Sequence, residues 1–526
     1  MRSQDAFGEV LASGDVNIFV AAHTNVGKTA LLRTLIGKDV GEVEDAPNVT
    51  TAMEAYDIVS GGTEGSLLLW DTPGFQDSFR LARRLRIRYR WVAWLVREAW
   101  DRYRNPRLWK AQRLVHHMRA YADVILYPVN VLERPVDAAY VRPELDALSW
   151  VGKPVLAVLN QGGTLTENGE MHSRINEWRN VLVAHPAVRA VFELDAFTRC
   201  WIQEVMLFSE ITNLLPEGVR ARYEHLRTQL TSSHVSRFHE SVACVADALV
   251  RTAADKSEVE SGLMADISSF FDRLIRSPTG REALKTAGQP LAQRLAERTR
   301  DLAQKLVEVN RLEGASSDEV LSLVASRWVV NGPINTPTPT LVGGLVSGLL
   351  TGLAADLMAG GLTLGTGALV GGVLGALGGA GIAGAYNASQ SDGGRFIRWS
   401  RVSLEESFKR FLRLYLSVAH FGRGQGAWSE TEEPQRWEDA VCAAIESRKR
   451  DLDRLWGTEK RQGQLLHERD QYVDLVSAVL IDVLRRIHPQ AGGVLVDLQR
   501  YRPGSFLTQR GESGLLRLVN SGELNG

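Results

Sequence analysis

The chain has 526 residues, 44% of them hydrophobic and 23% charged, with a formal net charge of −1. This is a globular composition with room for roughly two to four domains, and it excludes both a disordered chain and a global electrostatic field for nucleic acid. The three cysteines, Cys200, Cys244 and Cys442, are widely spaced without CxxC patterning. They fit a reducing cytoplasm and argue against a disulfide framework or a zinc site. The start, Met1–Gly8, carries no apolar run of signal-peptide length, so the N-terminal part is expected on the cytoplasmic side.

The first element is the apolar run Val16–Ala21, a predicted strand. It leads into Ala22-His23-Thr24-Asn25-Val26-Gly27-Lys28-Thr29 and then the apolar stretch Ala30–Ile36, a predicted helix. Strand, tight loop and helix form the context of a phosphate-cradling P-loop. Gly27 lets the backbone turn, so that N–H groups along Asn25, Val26, Gly27 and Ala30 point at a phosphate. Lys28 supplies a cation between the β- and γ-phosphates, and the Thr29 hydroxyl is a Mg²⁺ ligand. The usual first glycine is Ala22, which is small enough for the position.

Next comes Pro47-Asn-Val-Thr50-Thr51, where Thr50 or Thr51 is placed to close over Mg²⁺ in the triphosphate state. Strands are predicted near 54–59 and 66–70, the second ending in Asp71 and followed by Thr72-Pro73-Gly74. Asp71 is a carboxylate to order Mg²⁺, and the Gly74 N–H is a sensor of the γ-phosphate. Phe75 then stands where many small GTPases have a water-orienting glutamine, which predicts slow hydrolysis.

Arg80–Arg119 is an insertion with thirteen Lys or Arg against two acids, Glu98 and Asp101, a local charge of +11. Leu81, Leu85, Val92, Val96, Ala99 and Tyr103 follow a helical stripe, interleaved with Trp91, Trp94, Trp100 and Trp109, and Asn105-Pro106 divides it into two helices. A basic, Trp-rich amphipathic helix suits an anionic membrane surface; RNA phosphates with base stacking, or packing on a helical domain, are the alternatives. His116 and His117, adjacent on a helix, point in different directions and read as surface or packing residues rather than ligands.

Strands are predicted near 123–129, 154–159 and 190–195. The fifth ends in Asn160-Gln161-Gly162-Gly163, and the sixth leads into Ala196, a candidate contact to the base through its backbone N–H. Asn160 is placed to brace base and P-loop. A helix over Trp201–Leu215 closes the domain at Pro216-Glu-Gly, and from there the periodicity is helical, over Val219–Asp255 and Arg281–Leu312.

Asn331–Pro339 breaks the pattern. Between Arg327 and Asp392 the only charged residue is Asp356. Glycines recur every fourth residue at 344, 348 and 352, then at 367, 371, 375 and 379. On helices this spacing lines one face with bare backbone, as in small-xxx-small faces in lipid, whereas in water each glycine costs about 1 kcal/mol relative to alanine. Thr340–Met358 and Gly367–Tyr386 match the roughly 20 residues that span a bilayer core, with 359–366 as the turn and Asp356 near the tip. The alternative is a hairpin buried in a soluble domain.

The order of P-loop, threonine loop and Asp-Thr-Pro-Gly resembles the translation-factor-related GTPases. Era and the tRNA-modification GTPase also carry Asn-Val-Gly-Lys in the P-loop. Where that family has Asn-Lys-x-Asp, this chain has Asn160-Gln161-Gly162-Gly163, without the carboxylate that pairs with guanine. The whole layout resembles a bacterial group of Era-like GTPases with a C-terminal helical domain of unknown function. It carries a His-Thr-Asn-Val-Gly-Lys-Thr loop, a degenerate base loop and a glycine-rich hairpin, here at 23–29, 160–163 and 341–386.

The resemblance implies binding of GTP with Mg²⁺ and slow hydrolysis. The expected fold is a doubly wound α/β P-loop GTPase domain over 1–215, then a mainly α-helical domain over 216–335 and 391–526 interrupted by a glycine-zipper hairpin at 336–390. The expected function is a membrane-associated GTPase on the cytoplasmic face of the inner membrane, coupling nucleotide state to lipid insertion. Lipid is the first expected partner, with a membrane protein or self-assembly beside it. The alternatives are a non-enzymatic switch whose hairpin assembles an oligomer or pore, and an RNA- or ribosome-associated GTPase.

Overall fold

The computed structural model describes residues 14–24, 26–36, 53–60, 65–75, 77–87, 96–160, 169–194, 200–258, 278–310, 386–391, 394–420, 433–457 and 468–500. They fall into two compact units, one reaching to His234 and including His420, the other formed by the rest from Val235 on.

The first unit is built on a six-stranded sheet in the order β2-β3-β1-β4-β5-β6. The strands are β1 (Val16–Val20), β2 (Glu54–Ser60), β3 (Ser66–Asp71), β4 (Val124–Asn130), β5 (Val155–Asn160) and β6 (Val188–Glu193). All neighbours are parallel except the β2–β3 pair. The four central strands, β1, β3, β4 and β5, are buried on both faces because both faces are covered, whereas the edge strands β2 and β6 leave Asp57 and Arg189 exposed. Strand alternation sends Val16, Ile18 and Val20 of β1 to one layer and Phe19 to the other. Against the first layer lie α1 (Lys28–Ile36), α7 (Trp201–Leu214) and the first turns of α8 (Glu217–Ala253), which add Leu31, Leu35, Phe208, Ile211, Tyr223 and Leu226. Against the second lie α2 (Ser78–Leu85), α4 (Pro106–Tyr121), α5 (Val141–Val151) and α6 (Gly169–Val183).

This unit does not close at Leu215. The chain turns at Pro216 and re-enters helix at Glu217, and Tyr223, fully buried, donates its hydroxyl to the Phe208 carbonyl at 2.7 Å. Burial of those aromatic and leucine side chains carries the unit on to His234.

The insertion is divided at Asn105-Pro106, with Pro106 at the first helical position of α4, where its missing N–H costs nothing. Before it, Val96–Asp101 winds as a π-helical turn continued by α3 (Arg102–Arg104). The expected apolar stripe is not continued at its C-terminal end, where Tyr103 is 78% exposed; the interleaved Trp100 is 54% exposed. The face that docks belongs to α4, through Leu108, Leu114, Val115 and Met118, because that helix leads directly into β4 beneath it. Trp91 and Trp94 lie outside the described residues.

The second unit is mainly helical: the rest of α8, α9 (Pro278–Val309), α10 (Arg401–Ala419), α11 (Glu433–Ser447), α12 (Lys449–Leu455), α13 (Arg469–Ile487) and α14 (Gly492–Arg500). Its core includes Leu291, Leu295, Phe408, Phe411, Tyr415, Val441, Ile445, Tyr472, Val476 and Leu480. A small antiparallel sheet in the order β7-β9-β8 interrupts the helices, formed by β7 (Lys256–Glu258), β8 (Tyr386–Ser391) and β9 (Gly394–Trp399). Tyr386, expected to end a helix, therefore begins a strand paired residue by residue with β9, and the return to helix is delayed to Arg401. The glycine-rich stretch from 340 to 385 lies outside the described residues. Among those described, no helix is long and apolar enough to cross a membrane.

Candidate functional site: a P-loop and the loop Thr72–Phe75

The site forms at the carboxyl ends of β1, β3 and β5. The chain order reverses around β1, which has β3 on one side and β4 on the other; such switch points are where open α/β sheets bind ligands. Gly27 takes a φ of +80°, a left-handed turn that favours glycine, and its carbonyl accepts the Leu31 N–H at 2.9 Å as α1 begins. Lys28 opens that helix, 8% exposed, and Thr29 follows half-buried. Parallel pairing sets Val20 opposite Asp71, bringing the Asp71 carboxylate beside the P-loop, where it pairs with the Lys28 ammonium. Burial pushes the Asp71 carboxyl above the usual range, against the pull of Lys28. Asn160, fully buried at the end of β5, donates its side-chain N–H to the Val26 carbonyl at 3.2 Å. Sequence reasoning gives it a bracing role, and the structure places it on the P-loop backbone.

The loop Thr72–Phe75 is held tightly to this frame. Thr72 is fully buried and donates its hydroxyl to the Val20 carbonyl at 2.6 Å. A Cβ on Gly74 would lie 3.0 Å from the Thr24 methyl and 3.2 Å from its backbone nitrogen, so glycine is what permits the approach. The Phe75 N–H donates to the Ala22 carbonyl at 3.0 Å, making a parallel bridge between His23 and Phe75. The Phe75 ring turns away from the P-loop into the layer with Leu81, Leu108 and Leu114, 1% exposed. It is a core residue and does not occupy a water-positioning place.

Sequence reasoning missed a second polar layer. Glu144, in the first turn of α5 and fully buried, accepts from His23 Nδ1 at 2.7 Å, from Ser78 Oγ at 2.8 Å and from the Tyr127 hydroxyl at 2.8 Å. Burial pushes this carboxyl upward while its donors pull it down. No local signal marks Glu144, because its partners are 121, 66 and 17 residues away.

The donor set fits a magnesium nucleotide. Gly27 opens the loop, Lys28 carries the cation, and Thr29 and Asp71 offer the hard oxygen atoms Mg²⁺ prefers. Bound there, Mg²⁺ would supply charge for phosphoryl transfer. The structure brings together Val26, Gly27, Lys28, Thr29, Ala30, Asp71, Gly74 and Asn160. Asn25, Thr50, Thr51, Gln161, Gly163 and Ala196 lie outside the described residues.

Two families match by sequence. A family described as "50S ribosome-binding GTPase" matches residues 17–161, and one described as "Domain of unknown function (DUF3482)" matches residues 183–477. The chain belongs to the DUF3482 family. Its first part is a P-loop GTPase domain, a nucleotide hydrolase of the GTP-binding class, and its second a mostly helical DUF3482 domain. No curated protein matches it.

Among solved structures it is similar to a substituted variant of SsGBP, at 17% identity, 41% coverage of this chain and TM-score 0.23. The match spans 56% of the SsGBP chain, about half its length. It is also similar to Era in complex with MgGDPNP and part of 16S ribosomal RNA, at 16% identity, 57% coverage of this chain and 90% of that one, with TM-score 0.26. A third is an oligomerised bacterial dynamin pair, at 11% identity, 93% coverage of this chain and 86% of that one, with TM-score 0.23.

Proposed function

We propose that this family member is a membrane-associated GTPase that hydrolyses GTP slowly and passes nucleotide state to its helical domain and to lipid. One observation carries the reading: the loop that would sense the terminal phosphate, Thr72–Phe75, lies against the P-loop and runs within three residues into α2, the start of the basic insertion. A shift of that loop on phosphate binding would act next on α2, three residues further along the chain.

The insertion has the chemistry of a lipid-facing surface. Trp100 and Tyr103 are exposed at 54% and 78%, as is Phe79 just before it at 62%, among exposed arginines such as Arg80, Arg83, Arg86, Arg102 and Arg104. Arg104 lies over the Trp100 ring at 5.1 Å, and Arg102 and Arg113 over Trp109 at 5.5 and 5.1 Å. Arginine and aromatic rings side by side, with a local charge of +11, suit anionic headgroups. The apolar glycine-spaced stretch 340–385 adds the means to insert. Gly163 in the base loop supports a looser guanine preference than an Asn-Lys-x-Asp loop gives.

Flotation of the full chain with vesicles of anionic or neutral lipid, with and without a non-hydrolysable GTP analogue, tests this together with GTP turnover. The expected outcome is binding to anionic vesicles that changes with nucleotide, and turnover well below the ~1–100 s⁻¹ of efficient phosphoryl-transfer enzymes until lipid is added. Indifference to lipid in both assays overturns the membrane part.

A further inference from the structure

The buried carboxylate of Glu144 lies outside the donor set that fits a magnesium nucleotide, and its burial calls for a reason. Enclosing a carboxylate costs several kcal/mol unless it is fully bonded, and an apolar residue of similar volume commonly does as well. What sets Glu144 apart is what it joins. Its three donors come from the P-loop (His23), from the first residue of α2 (Ser78) and from the middle of β4 (Tyr127). The His23 ring, bonded to Glu144 at its edge, is also stacked on Tyr140 at 3.8 Å between centroids and 16° between planes. Tyr140 is in turn fixed by its hydroxyl bond to Glu133 at 2.7 Å.

The sensor loop is thus tied to the end of β1 and to the P-loop at four described points. Thr72 is tied to Val20, Gly74 presses on Thr24, Phe75 is bonded to Ala22, and Ser78 is fastened through Glu144 to His23. The last tie differs from the others because it grips the helix rather than the loop. A loop displaced by phosphate can move α2 only if that tie either follows the motion or breaks.

We propose that Glu144 is a positioning residue that, through His23 and Ser78, sets the sensor loop on the P-loop for hydrolysis and couples it to α2. It rests on the reading of residues 17–161 as a nucleoside triphosphatase.

Ser78→Ala and Tyr127→Phe each remove one hydroxyl donor from the same buried carboxylate, so a merely structural node predicts the same outcome for both. A positioning role separates them. In the full chain, Ser78→Ala is expected to lower kcat about tenfold, the worth of one bond to a charged group, while triphosphate affinity stays within about twofold. Tyr127→Phe is expected to leave kcat within about twofold. His23→Ala is expected to lower kcat likewise, and His23→Asn, whose amide nitrogen reaches the place of Nδ1, to recover most of it. Equal kcat effects for Ser78→Ala and Tyr127→Phe, or wild-type kcat in Ser78→Ala, overturn the proposal while leaving the triphosphatase reading intact. A wild-type chain that neither binds nor hydrolyses triphosphate removes both.

Discussion

At the scale of single residues, the Lys28–Asp71 pair decides how the site responds to ligand. Both side chains are about nine-tenths buried, and each neutralises the other. A phosphate that takes over Lys28 leaves Asp71 without its cation, and Mg²⁺ is the natural replacement, so nucleotide and metal are expected to bind together. Lys28→Ala is therefore a mixed experiment, since removing one partner of a buried pair costs on the order of 3–5 kcal/mol of stability besides the lost phosphate contact. Thr29→Ala leaves the pair intact. It is expected to weaken Mg²⁺-dependent binding of a GTP analogue about tenfold, with an unchanged melting temperature of the nucleotide-free protein. Equal affinity with and without Mg²⁺ in the wild type would contradict the shared site. Gly74→Ala makes the complementary test: its Cβ, 3.0 Å from the Thr24 methyl, must push the loop off the P-loop by a few tenths of an ångström. Turnover is expected to fall more than affinity, measured by single-turnover hydrolysis beside equilibrium binding.

At the scale of elements, the large sheet was legible because its four central strands are buried apolar runs punctuated by Gly, Pro, Asp or Asn. Val16–Val20, Ser66–Asp71 and Val155–Asn160 each end on a residue or loop that the site uses. The small sheet was not legible, because Lys256–Glu258 has three residues and Tyr386–Ser391 reads Tyr-Asn-Ala-Ser-Gln-Ser. Such strands are made by their partner β9, not by local pattern. The same limit hid Glu144, while the P-loop is a local motif, and the strand, glycine turn and helix it calls for are the ones the structure forms. The insertion shows a third case: its arginines were countable, but one of its two acids serves within. Asp101, fully buried, accepts from Arg84 at 3.1 Å and from Gln112 at 2.9 Å, clamping α2, the π-helical turn and α4 together. Asp101→Ala leaves those donors without that acceptor and is expected to cost about 2 kcal/mol locally, since Arg84 remains partly solvated. Limited proteolysis is expected to cut near 96–104 well before the sheet unfolds. Phe75→Gln places an amide in the same core layer and is expected to destabilise the first unit by about 3 kcal/mol or more, read by chemical denaturation, without raising turnover.

At the scale of the whole molecule, attachment by the insertion and attachment by the glycine-rich stretch differ in kind. Arginines and exposed rings give a peripheral contact, weakened as salt screens charges beyond a Debye length of about 8–10 Å. Two apolar helices whose bare glycine faces meet would give an attachment that salt does not touch, because each backbone is satisfied within its own helix and the hydrocarbon holds the rest. Tyr386 begins β8, which pairs with β9 along its length, so a deletion must stop at residue 385 to spare that sheet. If the stretch inserts, the full chain is expected to sediment with membranes through high salt and carbonate. The deletion of 340–385 is then expected to become soluble, to keep nucleotide binding and to retain only salt-sensitive binding to anionic vesicles. Gly371→Leu or Gly375→Leu, which wedges the two faces apart, is expected to impair lipid-stimulated turnover with nucleotide affinity unchanged. A hairpin buried in a soluble core predicts the reverse for both proteins in the fractionation: full-length protein in the supernatant, and a deletion that aggregates because its core has been removed. That pair of results would sink lipid insertion and leave the basic surface of the insertion as the remaining route to a membrane.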